Sequence, residues 1–498
     1  MRKLLTIALC VVMILSLGLV GVHADETPVV INSAEDFATL ITTETAEGNF
    51  KLGQDIALSD KFNGTFKGTF DGDGHKITLS GQPIFKTLDG ATVSNLVIEG
   101  SVSLSDNAGA LCINAYGITV VNVTNKADIT TTKKSGYAGG MVGQMSTASS
   151  ASATSKLVST FTDCVNEGTI SGANTTPRLG GIVGNAAKWN NCVYTRCINK
   201  GAVKAESGVS GSPYVAGIAG SAFGGEFYDC ENYGELTSAA GAHMGGILAR
   251  MSPSAQGGNQ DVILSGCKNF GNLTTVSGVA GGIVGYVGNP ANSDDATLNV
   301  KQILKLVKCV NEGTITAGGG DVGGLVGYHY GVTIQKDGAD RGYYSYVDIT
   351  ECINRGNVAG TGENTFASQF LGYSNCRDNI LKNNYGFGTV TTATENLNVF
   401  IGLSGDDITQ YLQVEGNYVT VAPVNYSYAA ADENAGNRVV FSDPLVTGKV
   451  TLATAAEIEA LINPPAQNPT TGDSAVWLVA VGLVSILGMA VAFKARKA

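Results

Sequence analysis

The sequence predicts an all-β fold. Its class is a right-handed parallel β-helix, or β-solenoid, with three short strands per coil, an N-terminal helical cap and a C-terminal transmembrane helix. Three observations carry this. One phrase recurs six times: apolar, two residues, Cys, one residue, Asn, one residue, Gly, one residue, apolar. The copies are Phe161-Cys164-Asn166-Gly168-Ile170, Tyr194-Cys197-Asn199-Gly201-Val203, Phe227-Cys230-Asn232-Gly234-Leu236, Leu264-Cys267-Asn269-Gly271-Leu273, Leu306-Cys309-Asn311-Gly313-Ile315 and Ile349-Cys352-Asn354-Gly356-Val358. Successive Asn residues lie 33, 33, 37, 42 and 43 apart. A period of that size belongs to a stacked array, in which each unit buries its apolar face only against its neighbours. Second, a Gly-rich apolar segment precedes each copy, as in Gly139-Gly140-Met141-Val142-Gly143, Gly180-Gly181-Ile182-Val183-Gly184 and Gly281-Gly282-Ile283-Val284-Gly285. Third, β-branched residues and Gly crowd out any 3.6-residue periodicity, which disfavours helical repeats.

The elements follow in chain order. Residues 1–24 read as a secretory signal: Arg2 and Lys3, an apolar run from Leu4 to Val20, then Val22-His23-Ala24 at the cleavage site. Residues 25–60 form a cap over the first coil, since an open end exposes unpaired strand edges. Within it Ser33 precedes Glu35 and Asp36 as a helix start, and Phe37, Leu40 and Ile41 give that helix one apolar face. Residues 61–420 are the β-helix repeats. Each unit holds three apolar points: the Gly-rich strand, the strand ending at Cys, and the short Gly-x-apolar strand. Asn at a fixed corner is expected in the left-handed region, bonding neighbouring backbone and stacking into a ladder. Residues 421–467 are a C-terminal cap and linker, with a short helix near Thr454–Ile462 and a Pro-rich stretch after Asn463. Residues 468–498 hold Asn468-Pro469-Thr470-Thr471-Gly472, an uncharged 19-residue stretch from Ala475 to Phe493, and Lys494, Arg496 and Lys497. The stretch is long enough to cross a bilayer, and the basic tail holds its end inside.

Composition narrows the partners. The chain carries 31 basic and 42 acidic residues, a net charge of −11. Losing Arg2 and Lys3 with the leader and most of the basic tail makes the remainder more acidic still. That argues against nucleic acid and anionic lipid as partners.

The cysteines are read as a buried thiol ladder. Cys164, Cys197, Cys230, Cys267, Cys309 and Cys352 fill one slot of successive units, so their side chains point the same way, whereas a disulfide needs a dihedral near a right angle. They act as small apolar residues beside the partner ladder of Asn166, Asn199, Asn232, Asn269, Asn311 and Asn354. No paired CxxC spacing marks a metal site. No cofactor, metal or catalytic residue is assigned.

Catalysis needs carboxylates gathered on one face. Asp294-Asp295 and Asp406-Asp407 are neighbours, and neighbours on a strand point to opposite faces. Asp71-Gly72-Asp73-Gly74 lacks the remaining ligands of a calcium loop and reads as a tight turn. The most suggestive insertion lies between Gly327 and Cys352. Tyr328, Tyr330, Tyr343, Tyr344 and Tyr346, with Asp340 and Arg341, could stack on sugar rings or anchor a protein; alternate Tyr residues could equally line a strand and pack on the next coil.

Two resemblances rest on these residues. The Gly-Gly-x-Val-Gly segments are similar to the GLUG-motif repeats of bacterial surface proteins, as is the start, with Gly64-Thr65-Phe66, Gly68-Thr69-Phe70-Asp71-Gly72-Asp73-Gly74-His75, Ile84-Phe85-Lys86-Thr87-Leu88 and Asn95-Leu96-Val97-Ile98. The likeness covers roughly residues 31 to 420 and implies fold and surface location. The same repeat accompanies immunoglobulin-cleaving metalloproteases, which need a zinc-binding HExxH helix; no His here is followed by Glu. The far end resembles the cell-wall sorting signal of Gram-positive surface proteins. That likeness implies sortase cleavage between Thr471 and Gly472 and transfer to peptidoglycan, with the membrane occupied only before sorting. Asn468 stands where that family usually has Leu.

The expectation is therefore a wall-anchored surface protein, an adhesin or binder of glycan, mucin or host protein, and not an enzyme. A carbohydrate-active enzyme on the same fold and a structural spacer are the alternatives.

Overall fold

The computed structural model describes residues 27–463 except 43, 45, 147–156, 188–189, 253–260, 289–300, 331–334, 337–338, 341–343, 363–364, 375–378, 394–400, 405–412, 422–437, 440 and 441–449. The chain divides into two units, Met1–Leu452 and Ala453–Ala498.

The first unit is a β-solenoid. Its described strands form one 38-stranded sheet, one 12-stranded sheet and a two-stranded pair. Among the described residues, every pairing is parallel except Gln335–Lys336 with Ala339–Asp340, and Leu403–Ser404 with Arg438–Val439. Register runs coil to coil without a slip along the inner apolar column: Phe50, Phe70, Val93, Val120, Phe161, Tyr194, Phe227, Leu264, Leu306, Ile349, Leu381 and Val414. At a rise of about 4.8 Å per coil, that column is ~53 Å long. Its aromatic members stack: Phe161 and Tyr194 lie 5.3 Å apart, Tyr194 and Phe227 4.6 Å.

One coil shows how the phrase folds. Leu157–Thr162 and Val165–Asn166 form the first side, Ile170–Gly172 and Arg178–Gly180 the second, and Val183–Ala186 the third. The coil therefore holds five strand segments, not the three expected. The strand expected to end at Cys bends and resumes. The bend is a left-handed residue just before the Cys: Asp163, Arg196, Asp229, Lys308 and Glu351 all have φ between 51° and 57°, and Gly266 has 68°. The ladder Asn was expected in that left-handed position. It sits instead in the extended strand that follows, because an inward amide must keep the strand's alternation. The Gly-rich segment is likewise two strands. Gly180 closes one, the corner falls at Gly181-Ile182, and Val183 opens the next in the other sheet.

The core explains the motif. Asn125, Asn166, Asn199, Asn232, Asn269, Asn311 and Asn354 are fully buried. Each Nδ2 donates to the next coil's Oδ1 at 2.7–2.8 Å, and the run ends on Gln369 Oε1 at 2.7 Å. The second hydrogen of each amide goes to the carbonyl two residues on, as from Asn232 to Gly234 at 3.0 Å. Two glycines per coil make room for this. A Cβ on Gly217 would lie 2.3 Å from Gly246 O and 2.4 Å from Asn232 Cγ; one on Gly234 would lie 2.0 Å from Gly201 O.

The thiol column runs beside it. Cys197 Sγ donates to Phe161 O at 3.3 Å, Cys230 to Tyr194 O at 3.5 Å and Cys267 to Phe227 O at 3.4 Å. All six sulfurs are buried free thiols. Burial pushes Cys230, Cys267 and Cys352 well above the ordinary thiol range. The column continues with other residues. Val123 precedes Cys164 in the slot, and Asn384 and Asn417 follow Cys352, joined Nδ2 to Oδ1 at 2.9 Å.

At the N-terminal end the helix Ala34–Leu40 is capped by Ser33, whose Oγ accepts from Asp36 N at 3.0 Å. Phe37 is buried, with its ring 5.9 Å from Phe85 and 6.3 Å from Phe70. Asp71–His75 is a turn: Asp71 Oδ1 accepts from Asp73 N at 3.0 Å, and Asp73 and Gly74 both have positive φ. The second unit's described part is the helix Ala455–Ile462, with a capping box between Thr454 and Glu457. The expected transmembrane helix at Ala475–Phe493 lies outside the described residues. Among those described, no helix is long and apolar enough to cross a membrane.

Candidate functional site

Both ends of the glycine corner carry a side chain on the face away from the hydrophobic core. One lies two residues before the corner's glycine pair, the other four residues after it. The first positions are Tyr137, Arg178, Tyr214, His243, Val279, Asp321 and Phe366. The second are Gln144, Asn185, Ser221, Arg250, Tyr286, Tyr328 and Tyr373. Tyr214, Val279, Asp321, Phe366, Asn185, Ser221 and Tyr373 are buried there and the others half-buried. The corner is concave, so the two columns meet. Arg178 Nη1 donates to Asn185 Oδ1 at 2.6 Å, Asn107 Nδ2 to Gln144 Oε1 at 2.9 Å, and Arg250 Nη1 to the Tyr214 hydroxyl.

The rings form one stack across the corner. Tyr214 lies 5.1 Å from His243, His243 4.3 Å from Tyr286, Tyr286 5.4 Å from Tyr328 and Tyr328 4.8 Å from Tyr373, with interplanar angles of 3° to 19°. Arg178 sits 5.1 Å from the centroids of both Tyr137 and Tyr214. Arg250 sits 5.1 Å from Tyr214 and 5.0 Å from Tyr286. The cause is the solenoid itself: equivalent residues of adjacent coils stand one strand spacing apart, close to the thickness of stacked π systems.

Electrostatics follow from packing. Burial holds His243 neutral, its pKa lowered to about 3, with the Arg250 charge adding to the shift. His243 Nδ1 and Arg250 Nε are buried without a hydrogen-bond partner among the described residues. Burial raises the Tyr286 and Tyr328 hydroxyls above the usual phenol range, so both remain donors.

The corner after the second column is also where the coils differ in length. Among the described residues the next coil strand after Met251 starts at Val262, after Val287 at Lys301, and after His329 at Tyr344, beyond the short pair Gln335–Lys336 and Ala339–Asp340, whereas Ala222 is followed at once by Gly225. Most of the growth in repeat spacing arises here, directly beside the cleft. Insertions mapping to one face of a solenoid commonly mark its binding face.

Of the seven residues expected to form a ligand patch, the structure joins two. Tyr328 belongs to the stack, and Tyr330, 37% exposed, lies 6.4 Å from it. Tyr346 is half-buried on a first-side strand that pairs with Lys301–Val307, away from the glycine corner. Asp340 lies in the short pair with Gln335–Lys336, and Tyr344 opens the strand Tyr344–Thr350. Arg341 and Tyr343, like Asn468, Pro469, Thr470, Thr471 and Gly472, lie outside the described residues. Stacking covers the faces of Tyr286 and Tyr328, so these rings offer edges and hydroxyls rather than faces to a sugar. The missed residues did have a signal: position and spacing around the glycine pair, as in Tyr137-Ala-Gly-Gly-Met-Val-Gly-Gln144 and His243-Met-Gly-Gly-Ile-Leu-Ala-Arg250.

A second polar group lies in the core under the insertion after His329. His329 Nδ1 is 2.9 Å from Ser374 Oγ and Nε2 3.0 Å from Ser345 Oγ, and Asn379 Nδ2 donates to Ser374 Oγ at 2.7 Å. All four are fully buried, and burial lowers the His329 pKa to about 3.

No family model matches the chain, and no curated protein sequence does. Among the solved structures similar to the chain are two named for immunoglobulin A1 proteolysis. One is a Bacteroides ovatus protein given a provisional description as an immunoglobulin A1 protease: 18% identity, 66% of this chain, 85% of that one, TM-score 0.39. The other is named IgA1 protease: 12% identity, 66% of this chain, TM-score 0.35; this chain spans 22% of its length. The expectation that the chain is not an enzyme is withdrawn on this finding, since structures it resembles carry a protease name. The missing HExxH helix removes one zinc chemistry and leaves other chemistries untouched. The activity named is those proteins' own.

Proposed function

We propose that this chain is a surface-displayed, right-handed β-helix protein that binds an extended ligand along the concave tyrosine and arginine cleft. In this reading residues 1–24 direct export, the repeats are of the GLUG kind, and Asn468–Gly472 with the stretch behind it is the substrate of a sortase that joins the chain to peptidoglycan. The ligand is a glycan, a mucin or a host protein. The right hand is the one that parallel crossovers adopt.

One observation carries the binding reading. The cleft aligns guanidinium, imidazole and phenol groups over successive coils, at positions that face away from the hydrophobic core. An elongated row of donors beside variable insertions suits a polymer better than a small molecule.

The test is a glycan and mucin array probed with the full-length chain in detergent, followed by mass spectrometry of the bound material. Retention of intact ligand supports the reading. Shortened glycans, or cleavage of immunoglobulin A added to the same assay, overturn binding as the whole function. Anchoring is tested separately: deleting Asn468–Gly472 should move the chain from the wall fraction to the membrane fraction, and unchanged wall attachment refutes the sorting assignment.

A further inference from the structure

We propose that the cleft recognises sugar carboxylates, so that its ligand is an acidic oligosaccharide bearing uronate or sialate groups. This rests on the binding reading above and names its ligand class.

The argument starts from charge. In an acidic chain, arginines are expected to pair with carboxylates. Arg196 does so, with Asp163 at 2.7 Å, and Arg355 with Glu312 at 3.4 Å. Arg178 and Arg250 do not: among the described residues neither has a carboxylate within salt-bridge range. Each is half-buried between tyrosine rings, and each spends one N–H on a neutral acceptor, Asn185 or the Tyr214 hydroxyl. A guanidinium carries five N–H donors, so each fork keeps several uncommitted; for Arg250, whose Nε is buried, these are on the two terminal nitrogens. Holding such a cation between π faces fixes its plane without neutralising it. That is the arrangement suited to a planar carboxylate taken in two parallel hydrogen bonds.

Spacing adds to this. Arg178 and Arg250 stand two coils apart, ~10 Å along the axis at about 4.8 Å per coil. Tyr214 lies between them, and Tyr137 and Tyr286 lie beyond. The site is thus two cations separated and flanked by phenols that serve neutral hydroxyls. An extended acidic sugar chain presents that alternation. His243, neutral beside Arg250, adds no competing charge. Arg178, Tyr214, Arg250 and Tyr286 form the predicted contact set.

The experiment compares galacturonate oligomers with the same oligomers after reduction of their carboxyls to alcohols, and sialylated mucin glycans with the same glycans after sialidase. The full-length chain is immobilised in detergent. At least one carboxylated form should bind tighter than its neutral counterpart, by roughly tenfold or more. The double variant Arg178→Gln, Arg250→Gln should abolish that preference. Arg196→Gln with Lys308→Gln, an equal charge loss on another face, should keep it. If the Gln variant melts early, Arg178→Lys with Arg250→Lys retains the charge and should lose part of the preference through loss of the fork. Equal binding of acidic and neutral forms overturns the carboxylate proposal while leaving glycan binding intact. Equal loss of preference in the Arg196, Lys308 variant overturns it as well, since bulk charge then suffices. Absence of binding to every form overturns both this proposal and the glycan reading beneath it.

Discussion

Replacing Asn232 by Ala tests the amide ladder at its centre. Asn232 Oδ1 accepts from Asn199 Nδ2 at 2.7 Å, and its Nδ2 donates to Asn269 Oδ1 at 2.8 Å and Gly234 O at 3.0 Å. Truncation leaves three buried groups without this partner. At ~1–3 kcal/mol for each buried group left unsatisfied, the cost is about 3–9 kcal/mol. We expect the lower half, because the vacated space admits a water that recovers part of the loss. Cys230→Ala, one slot away, removes a sulfur whose contacts to Tyr194 O and Tyr228 O are long, 3.5 Å each; that should cost about 1–2 kcal/mol. Urea unfolding followed by circular dichroism gives the ranking. Because a solenoid's stability is a sum of neighbouring terms, native-state hydrogen exchange should lose protection first in the coils of Asn199, Asn232 and Asn269, with the Phe37 end unaffected. If Asn232→Ala costs no more than Cys230→Ala, the ladder is not what holds the coils in register.

Three further outcomes follow from the same geometry. Gly217→Ala places a Cβ 2.3 Å from a carbonyl oxygen of the next coil, so no folded protein is expected, whereas Gly74→Ala meets open space and should cost only ~1–2 kcal/mol for its positive φ; melting curves of the two decide. His243 and His329 both have folded pKa values lowered to about 3, below the unfolded value. The unfolded chain therefore binds more protons between about pH 6.5 and 3, and each His contributes stability that is complete above pH 6.5 and lost as pH falls, by at most about 1.4 kcal/mol per pH unit; a urea midpoint unchanged between pH 7 and pH 4.5 in wild type, or an unchanged drop in His329→Asn, refutes this. The eight described cysteines are buried free thiols, so a thiol reagent should leave them unlabelled until the chain unfolds, and reductant should not shift the melting temperature.

The insertion tyrosines show where reading residues one by one stops. Tyr328 to Tyr346 look like a local cluster because they are close in sequence. In the structure Tyr328 joins Tyr286 and Tyr373 from other coils, while Tyr346 lies on a different side. Enzymatic activity could not be excluded from motifs either, since a missing HExxH bears on a single catalytic design.

What the sequence by itself determined is the stacking. The same inward neighbours recur in every coil, so Cys, Asn and Gly recur with them, and a steric demand repeated along an axis becomes a repeated word. Even the coils outside the word obey its frame, with Val123 and Asn384 in the thiol slot. The tertiary structure alone decided the corners and the cleft. Whether a glycine pair continues a strand or turns it depends on the Asn of the adjacent coil, against which any Cβ at Gly181 or Gly217 would collide. These positions face away from the hydrophobic core and pack on one another across the corner, so Tyr137, Arg178, Tyr214, His243, Arg250 and Tyr286 repeat no single residue down the column as Cys and Asn do. Only the parallel register and the concave bend bring them together.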